Sequence, residues 1–234
     1  MNYPNITILG TSHIAKESIH TIQKSIEKNK PDIIGLELDS NRFHALLNPT
    51  KHKIRLSDIR TVGIKGYLFA RIGAWAEEKM GKSIGVNPGL EMKYAIELAH
   101  KYHIPIALID QDITITLKRF SNTLTWKEKF HFLYDILFAS KFKNSIASFD
   151  LNKVPPQHLI QKLITQLKTR YPNVYQVLIV ERNQIMAQRL AHLTHKHPEK
   201  YILAIIGAGH KKEVINLLKK YHQHLNRIVT PKVL

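Results

Sequence analysis

Ile202-Leu203-Ala204-Ile205-Ile206-Gly207-Ala208-Gly209-His210 is the stretch that decides the fold. An unbroken apolar run that ends at glycine reads as a buried strand of a parallel sheet. The residues after His210 take up helical periodicity, so the histidine falls at the mouth of a helix. The same phrase stands near the other end of the chain, where Ile6-Thr7-Ile8-Leu9 runs into Gly10-Thr11-Ser12-His13 and a second helical pattern. A strand that stops at a glycine turn and hands over a histidine aims the imidazole into the crevice at the carboxyl edge of an α/β sheet. Two such phrases predict two imidazoles converging on one site.

Between the two phrases, strands alternate with helices. Ala15, Ile19, Ile22 and Ile26 recur at three or four residues, one face of a helix that Pro31 ends. Asp32 to Leu38 reads as a second strand and Asn41 to Leu47 as a helix. Apolar spacing from Ile59 to Gly85 suggests one or two close-packed helices, followed by a turn at Asn87-Pro88-Gly89. Leu90 to Tyr102 is an amphipathic helix and Ile104 to Ile109 a third strand. Trp126 to Phe142 carries an aromatic-rich helical face, Pro155-Pro156 opens a further helix, and another runs from about Tyr175 to Leu193. Asn226 to Val229 reads as one more short strand. The alternation predicts an α/β fold: a central, mostly parallel sheet flanked by helices, in one domain over 1–234 with a helical insertion at about 120–170.

No apolar run approaches the roughly 18 residues of a membrane span. The strand pattern begins within five residues of Met1, which leaves no room for a secretory leader, so a cytoplasmic protein is expected. The chain has no cysteine, so disulfides and thiolate ligands are excluded and any transition metal must sit on His, Asp or Glu. Thirty-five lysines and arginines against 18 acids give a net charge of +17, which leaves nucleic acid or an anionic membrane surface open as partners. The basic residues are scattered rather than blocked, and no aromatic-basic nucleic-acid signature accompanies them. The aromatic face of 126–142, flanked by Lys127, Lys129, Lys141 and Lys143, reads in several ways. It suits a helix packed on the core or on a second copy of the chain, a lid, or a surface helix that touches membrane or a peptide.

Few polar residues stand at strand ends: His13, Glu37, Asp39, Asp110 and His210. Two neutral imidazoles and one carboxylate suit a divalent ion such as Zn²⁺ or Mn²⁺, with positions left for water. Such an ion lowers the pKa of bound water and polarises a carbonyl. The chain has 14 histidines, most of which are ordinary surface or core residues; His13 and His210 are set apart by their glycine-led strand ends. Glu37 reads equally as a buried carboxylate paired with Arg42. The HExxH helix of zinc peptidases, the GxxxxGK[ST] phosphate loop and the GxSxG nucleophile elbow are all absent.

Six motifs, in order, resemble those of the TraB/PrgY family. They are Gly10-Thr11-Ser12-His13 with Ser18, Glu37-Leu38-Asp39 with Arg42, and Pro88-Gly89-Leu90-Glu91-Met92 with Ala95 and Ala99. Asp110-Gln111-Asp112-Ile113 with Thr116 and Arg119, Glu181-Arg182-Asn183 with Met186-Ala187, and Gly207-Ala208-Gly209-His210 complete the series. The resemblance implies a TraB-like domain related to the Tiki proteins and, more distantly, to the erythromycin-esterase and ChaN-like fold. It implies His13, Glu37 and His210 as the metal or catalytic set. Arg42, Glu91, Asp110, Arg119, Glu181 and Arg182 would line or brace it, some of them as buried ion pairs. Tiki relatives are described as metal-dependent proteases, and PrgY is associated with shutting down a peptide pheromone. The chain departs from the family pattern at Gln111, where an arginine is usual, and at Asn183, where an aspartate is usual.

The first functional expectation is a metal-dependent hydrolase of peptide-like bonds. Water on a divalent metal (Mn, Zn or Co) held by His13, Glu37 and His210 would attack the carbonyl. Glu91 would shuttle the proton, and Arg42 or Arg119 would steady the oxyanion. One alternative is a non-catalytic protein that holds a peptide or small-molecule ligand in the same crevice. Another is a basic protein that binds nucleic acid or an anionic membrane surface. A homo-oligomer through the 126–142 helix is open under each.

Overall fold

The computed structural model describes residues 5–11, 16–48, 60, 89–137 and 156–229. His13, the expected helices between Ile59 and Gly85 apart from residue 60, and residues 138–142 lie outside the described residues. The first half of the chain supplies β1 (Ile6–Thr11), α1 (Lys16–Asn29), β2 (Ile33–Leu36), α2 (Ser40–Leu47), α3 (Leu90–Lys101) and β3 (Ile106–Leu108). A helical stretch follows, with α4 (Ile113–Thr123), α5 (Trp126–Leu137), α6 (Gln157–Arg170) and α7 (Pro172–Tyr175). The chain then passes through a π-helical segment (Gln176–Glu181) into α8 (Arg182–Lys196), β4 (Ile202–Gly207) and α9 (Ala208–Val229).

The four described strands form one sheet in the order β1-β4-β2-β3, and every pairing is parallel. β4 lies inside it, with Ile202 opposite Ile6 on one side and Ile33 on the other. All six residues of β4 are buried, the burial its uninterrupted apolar run predicts. Alternation sends Leu203 and Ile205 into a core with Ile22 and Ile26 of α1, Ile34 and Leu36 of β2, and Met92 and Ile96 of α3. Ala204 and Ile206 face the other layer, formed by Met186 and Leu190 of α8 with Val214 and Leu218 of α9. The fold is α/β, a parallel sheet between two helical layers.

The strands run past the points where the sequence predicts turns. β1 continues through Gly10 to Thr11, and Gly10 pairs with Ile206. A Cβ at Gly10 would stand 3.0 Å from Lys211 Cδ and 3.3 Å from Ala208 Cα, so this glycine admits the start of α9 against β1 rather than making a turn. Gly89 does fill the expected turn role, with φ of +79° at the mouth of α3. Asn226 to Val229 is the last turn of α9 and not a strand. No glycine or proline interrupts the chain from His210 to Val229, so the helix propagates through the short apolar pair at its end. α4 opens on Ile113-Thr114-Ile115-Thr116, whose β-branched run favours a strand by propensity. Asp112 overrides it by accepting the Thr114 N–H at 2.7 Å, a side-chain cap that starts a helix.

α5 is held to the segment around residues 170–173 by its two acids. Glu128 Oε1 accepts the Asn173 N–H at 2.8 Å and Oε2 the Asn173 amide at 2.9 Å, and Oε2 also accepts the Thr125 N–H and hydroxyl. Asp135 accepts from Arg170 and from the Tyr171 hydroxyl at 2.5 Å. Burial alone would raise the Glu128 pKa, but the hydrogen bonds from Asn173 and Thr125 outweigh it and hold the group below its ordinary value. The bonds from Arg170 and Tyr171 do the same for Asp135, again against burial. A depressed carboxyl pKa stabilises the fold above the unfolded value of about 4 and loses that contribution as pH falls through the folded value. Amide exchange in α5 is therefore expected to accelerate below about pH 4 ahead of exchange in β4. In Glu128→Gln the acid dependence of α5 should shrink; an unchanged profile would mean that Glu128 does not hold this helix.

Candidate functional site

The carboxyl edge of a parallel sheet collects the residues that follow each strand and those that open each helix leading into a strand. Glu37 follows β2, Asp110 follows β3, and α9 begins where β4 ends. Arg182 and Asn183 open α8, which leads into β4. These residues come from four distant parts of the sequence and meet in one network around the Arg182 guanidinium.

Arg182 donates from Nε to Asp110 Oδ1 at 3.0 Å and from Nη2 to Asp110 Oδ2 at 2.8 Å. Nη2 also bonds Glu37 Oε1, and Nη1 donates to the Leu178 carbonyl and to His210 Nε2, each at 3.3 Å. Glu37 is 2% exposed and Asp110 fully buried. Burial works against the charge on Arg182, but the attraction of Glu37 and Asp110 and their hydrogen bonds raise its pKa above the ordinary arginine value. Glu37 Oε2 takes the Gly207 N–H at 2.5 Å, at the start of α9, where the helix dipole favours a carboxylate.

His210 lies on the first turn of α9 and is 7% exposed. Its Nδ1–H donates to Asn183 Oδ1 at 2.6 Å, which leaves Nε2 as the lone-pair nitrogen, 3.5 Å from Glu37 Oε1. Asn183 is 1% exposed, and its Nδ2 has no hydrogen-bond partner among the described residues.

Arg42 reaches the same network from α2. It bonds Asp110 Oδ2, Asp39 Oδ2 at 2.7 Å and the Glu37 carbonyl at 3.5 Å. Its side-chain partners are Asp39 and Asp110, while the Glu37 carboxylate pairs with Arg182. Asp39 in turn caps α2 through the Asn41 and Arg42 N–H groups. Glu91 is buried on the first turn of α3. Arg119 and Glu181 pair with each other at 2.6 Å, with Arg119 about half exposed, apart from the network.

Sequence reasoning names Asn183 only as a departure within a motif, without a role, and passes over Arg189. Asn183 fixes the His210 ring, and Arg189 donates to the Asp110 carbonyl and, at 3.4 Å, to the Leu108 carbonyl. Both stand on one helix that leads into the strand with the glycine-histidine phrase, and Arg189 follows Arg182 by seven residues on the same helical face.

Glu37 Oε1 and His210 Nε2 have a separation suited to a shared ion, since two ligand atoms each about 2.0–2.2 Å from a tetrahedral ion stand about 3.4 Å apart. Arg182 contacts both atoms and supplies the positive charge between them. Among the described residues no group of three or more His, Cys, Asp or Glu is placed to hold a metal ion.

The TraB/PrgY/gumN family model matches residues 2–223. The chain belongs to this family. An uncharacterized protein of Methanocaldococcus jannaschii is 36% identical over 222 residues, which cover 94% of this chain and 55% of that protein. TraB domain-containing proteins of Mus musculus and Homo sapiens are each 20% identical over 231 residues, 88% of this chain and 60% of theirs. The chain thus spans somewhat more than half the length of these relatives. The network lies within the matched TraB/PrgY/gumN region, and so do both glycine-histidine phrases.

Removing Arg182 leaves two buried carboxylates facing each other, a change that costs about 3–5 kcal/mol when one partner of a buried pair is lost. Arg182→Met is expected to lower unfolding stability in urea by about that much, and Arg119→Ala, where the arginine is half exposed, by under about 1 kcal/mol. Equal effects from the two variants would show that the Arg182 network is not a structural centre.

Proposed function

We propose that the chain is a hydrolase of peptide-like amide bonds, acting in the crevice at the carboxyl edge of the sheet. Glu37, His210 and His13 are proposed to hold a divalent metal, Mn, Zn or Co. The observation that carries this reading is the His210 ring, whose Nε2 faces Glu37 Oε1 at 3.5 Å while Nδ1–H is fixed on Asn183. An outer hydrogen bond of this kind sets the tautomer of metal-ligating histidines. His13 enters through the repeated glycine-histidine phrase and lies outside the described residues.

The ion would polarise the scissile carbonyl and lower the pKa of a bound water. The chain's own groups supply the rest. The Gly207 N–H orients the Glu37 carboxylate, and Asn183 orients the imidazole. Arg182 places a fixed positive charge beside both, suited to an oxygen that gains negative charge during the reaction. Glu91, on the helix end at the same edge, is assigned the proton transfer to the leaving amine, and Arg42 holds Asp110 and the Glu37 main chain in place.

One observation favours a second reading. Arg182 already bridges Glu37, Asp110 and His210, a closed arrangement suited to a protein that binds a peptide or small molecule without cleaving it.

Purified protein is expected to bind about one equivalent of Mn, Zn or Co by elemental analysis after dialysis, and to lose it in a His13→Ala, His210→Ala variant. Cleavage of a mixed peptide library, read by mass spectrometry, should stop with chelator and in Glu37→Gln. Cleavage that persists in the metal-free protein, or metal binding without any cleavage, would overturn the hydrolase reading; the second result fits the binding protein.

A further inference from the structure

The helical stretch between β3 and α8 presents a face that the carboxyl-edge network does not use. On α5, Trp126, Phe130 and Tyr134 are 73%, 65% and 54% exposed. They are spaced by four residues and line one face of the helix. The Trp126 and Phe130 rings lie 6.4 Å apart, and Lys129 Nζ sits 4.0 Å over the Trp126 ring. Leaving a tryptophan and a phenylalanine this open forfeits a large apolar contribution, roughly 1.5–3 kcal/mol for a side chain of phenylalanine size. A row of exposed aromatics on one helix therefore points to a contact made outside the chain.

The charges around this row are of one sign. Besides Arg119, which pairs with Glu181, and Arg170, which pairs with Asp135, α4, α5 and α6 carry Lys118, Lys127, Lys129, Lys162 and Lys168, and Glu128 is buried. Both acids of α5 are turned inward, Glu128 onto Thr125 and Asn173 and Asp135 onto Arg170 and Tyr171. Lys127 is exposed beside the aromatic row, and Lys118, Lys162 and Lys168 are exposed on the neighbouring helices. Aliphatic side chains are also open there, Ile115 on α4 and Leu163 on α6. An amphipathic helix with aromatics on one face, lysines beside them, one acid buried and the other paired with Arg170 is built for the interface of an anionic bilayer. Nucleic acid would share the charge preference, but it gives no use for exposed isoleucine and leucine. A second copy of this chain would bring a like charge of +17 toward the same face.

We propose that α5 is an interfacial helix that docks the protein on anionic lipid, with Trp126 and Phe130 entering the headgroup boundary and Lys127 and Lys129 facing lipid phosphates. The docking adds to the proposed hydrolase reading without resting on it, because the network around Arg182 and the α5 face share no residue. Among the described residues no helix is long and apolar enough to cross a membrane, and α5 is proposed to lie in the plane of the interface.

The full chain is mixed with vesicles of phosphatidylcholine alone or with about one-third phosphatidylglycerol, and the pelleted fraction is measured. Anionic vesicles should bind the protein at least about ten-fold more strongly than neutral ones, since each lysine near such a surface is worth roughly a five-fold gain. Trp126→Ser, Phe130→Ser together, and Lys127→Glu, Lys129→Glu together, should each reduce that binding about ten-fold or more. Trp126, Lys127 and Phe130 are exposed and Lys129 is half-buried, and an unchanged circular-dichroism melt confirms that the variants fold. Three outcomes would overturn the proposal. The first is the absence of a preference for anionic vesicles. The second is vesicle binding that both double variants retain, which would assign it to diffuse charge elsewhere. The third is unchanged vesicle binding while the aromatic variant loses a dimer seen by light scattering, or either variant loses affinity for a single-stranded RNA oligonucleotide; that would assign the face to a second copy or to nucleic acid.

Discussion

The carboxyl edge of this protein is organised by one buried cation. The Arg182 guanidinium joins the ends of β2 and β3 through Glu37 and Asp110, and it touches the first turn of α9 through His210. Each contact belongs to a different element, so the arginine fixes the spacing of three loops that the sheet alone leaves free. Two buried carboxylates could not face each other without it, because their desolvation and mutual repulsion would push at least one to its neutral form. Arg42 adds a second positive charge on the outer side of Asp110, and Arg189 takes the Asp110 and Leu108 carbonyls from below. Asp110 is therefore surrounded on all its oxygens, main chain included.

The direction of the chain explains how such distant residues arrive together. A helix that leads into a parallel strand runs antiparallel to it, so the start of the helix lies beside the strand's carboxyl end. α8 follows this rule and brings Arg182 and Asn183 to the edge, and α3 brings Glu91 there in the same way. A π-helical segment stands directly before Arg182. Its wider turn changes the angular step between α7 and α8, which sets where Arg182 points once α8 is packed by Met186 and Leu190 on the sheet. The packing of an apolar face and the aim of a buried charge are thus fixed by the same helix.

Much of this was legible in the residues. β4, α1, α3 and the parallel α/β arrangement follow from unbroken apolar runs alternating with helical spacing. The placement of His210 on the first turn of a helix follows from Gly207-Ala208-Gly209-His210. What the pattern does not reveal is partnership. Periodicity shows which face of α8 is apolar, but nothing local says that Arg182 meets Glu37, 145 positions away, rather than its neighbour Glu181. The same gap hides Asn183 and Arg189, whose roles depend on tertiary contact alone. α4 escapes for a different reason: its β-branched opening argues for a strand, and a single aspartate cap decides otherwise. The glycine at position 10 is misread as a turn because close backbone approach and turning both call for the same residue.

Gln111 and Asn183, the two positions where the sequence departs from the expected motifs, play different parts at this edge. The family resemblance leads one to expect an arginine at position 111 and an aspartate at 183; the chain has Gln111 and Asn183, both neutral. Gln111 spends its amide on Thr116 Oγ1 at 3.0 Å and takes no part in the Arg182 bonds. Asn183 keeps the acceptor that His210 needs, Oδ1 at 2.6 Å from Nδ1, but without a formal charge. An aspartate there would put a negative charge beside the ring, whereas the amide orients the ring through a neutral hydrogen bond. Arg182 Nη1 stands 3.3 Å from Nε2 and Glu37 Oε1 3.5 Å from it, so that edge of the ring faces a guanidinium and a carboxylate together. The imidazole is thus held from both nitrogens, Nδ1 by Asn183 and Nε2 by Arg182, with Glu37 Oε1 3.5 Å from Nε2, and its orientation is set by residues from two distant parts of the sequence.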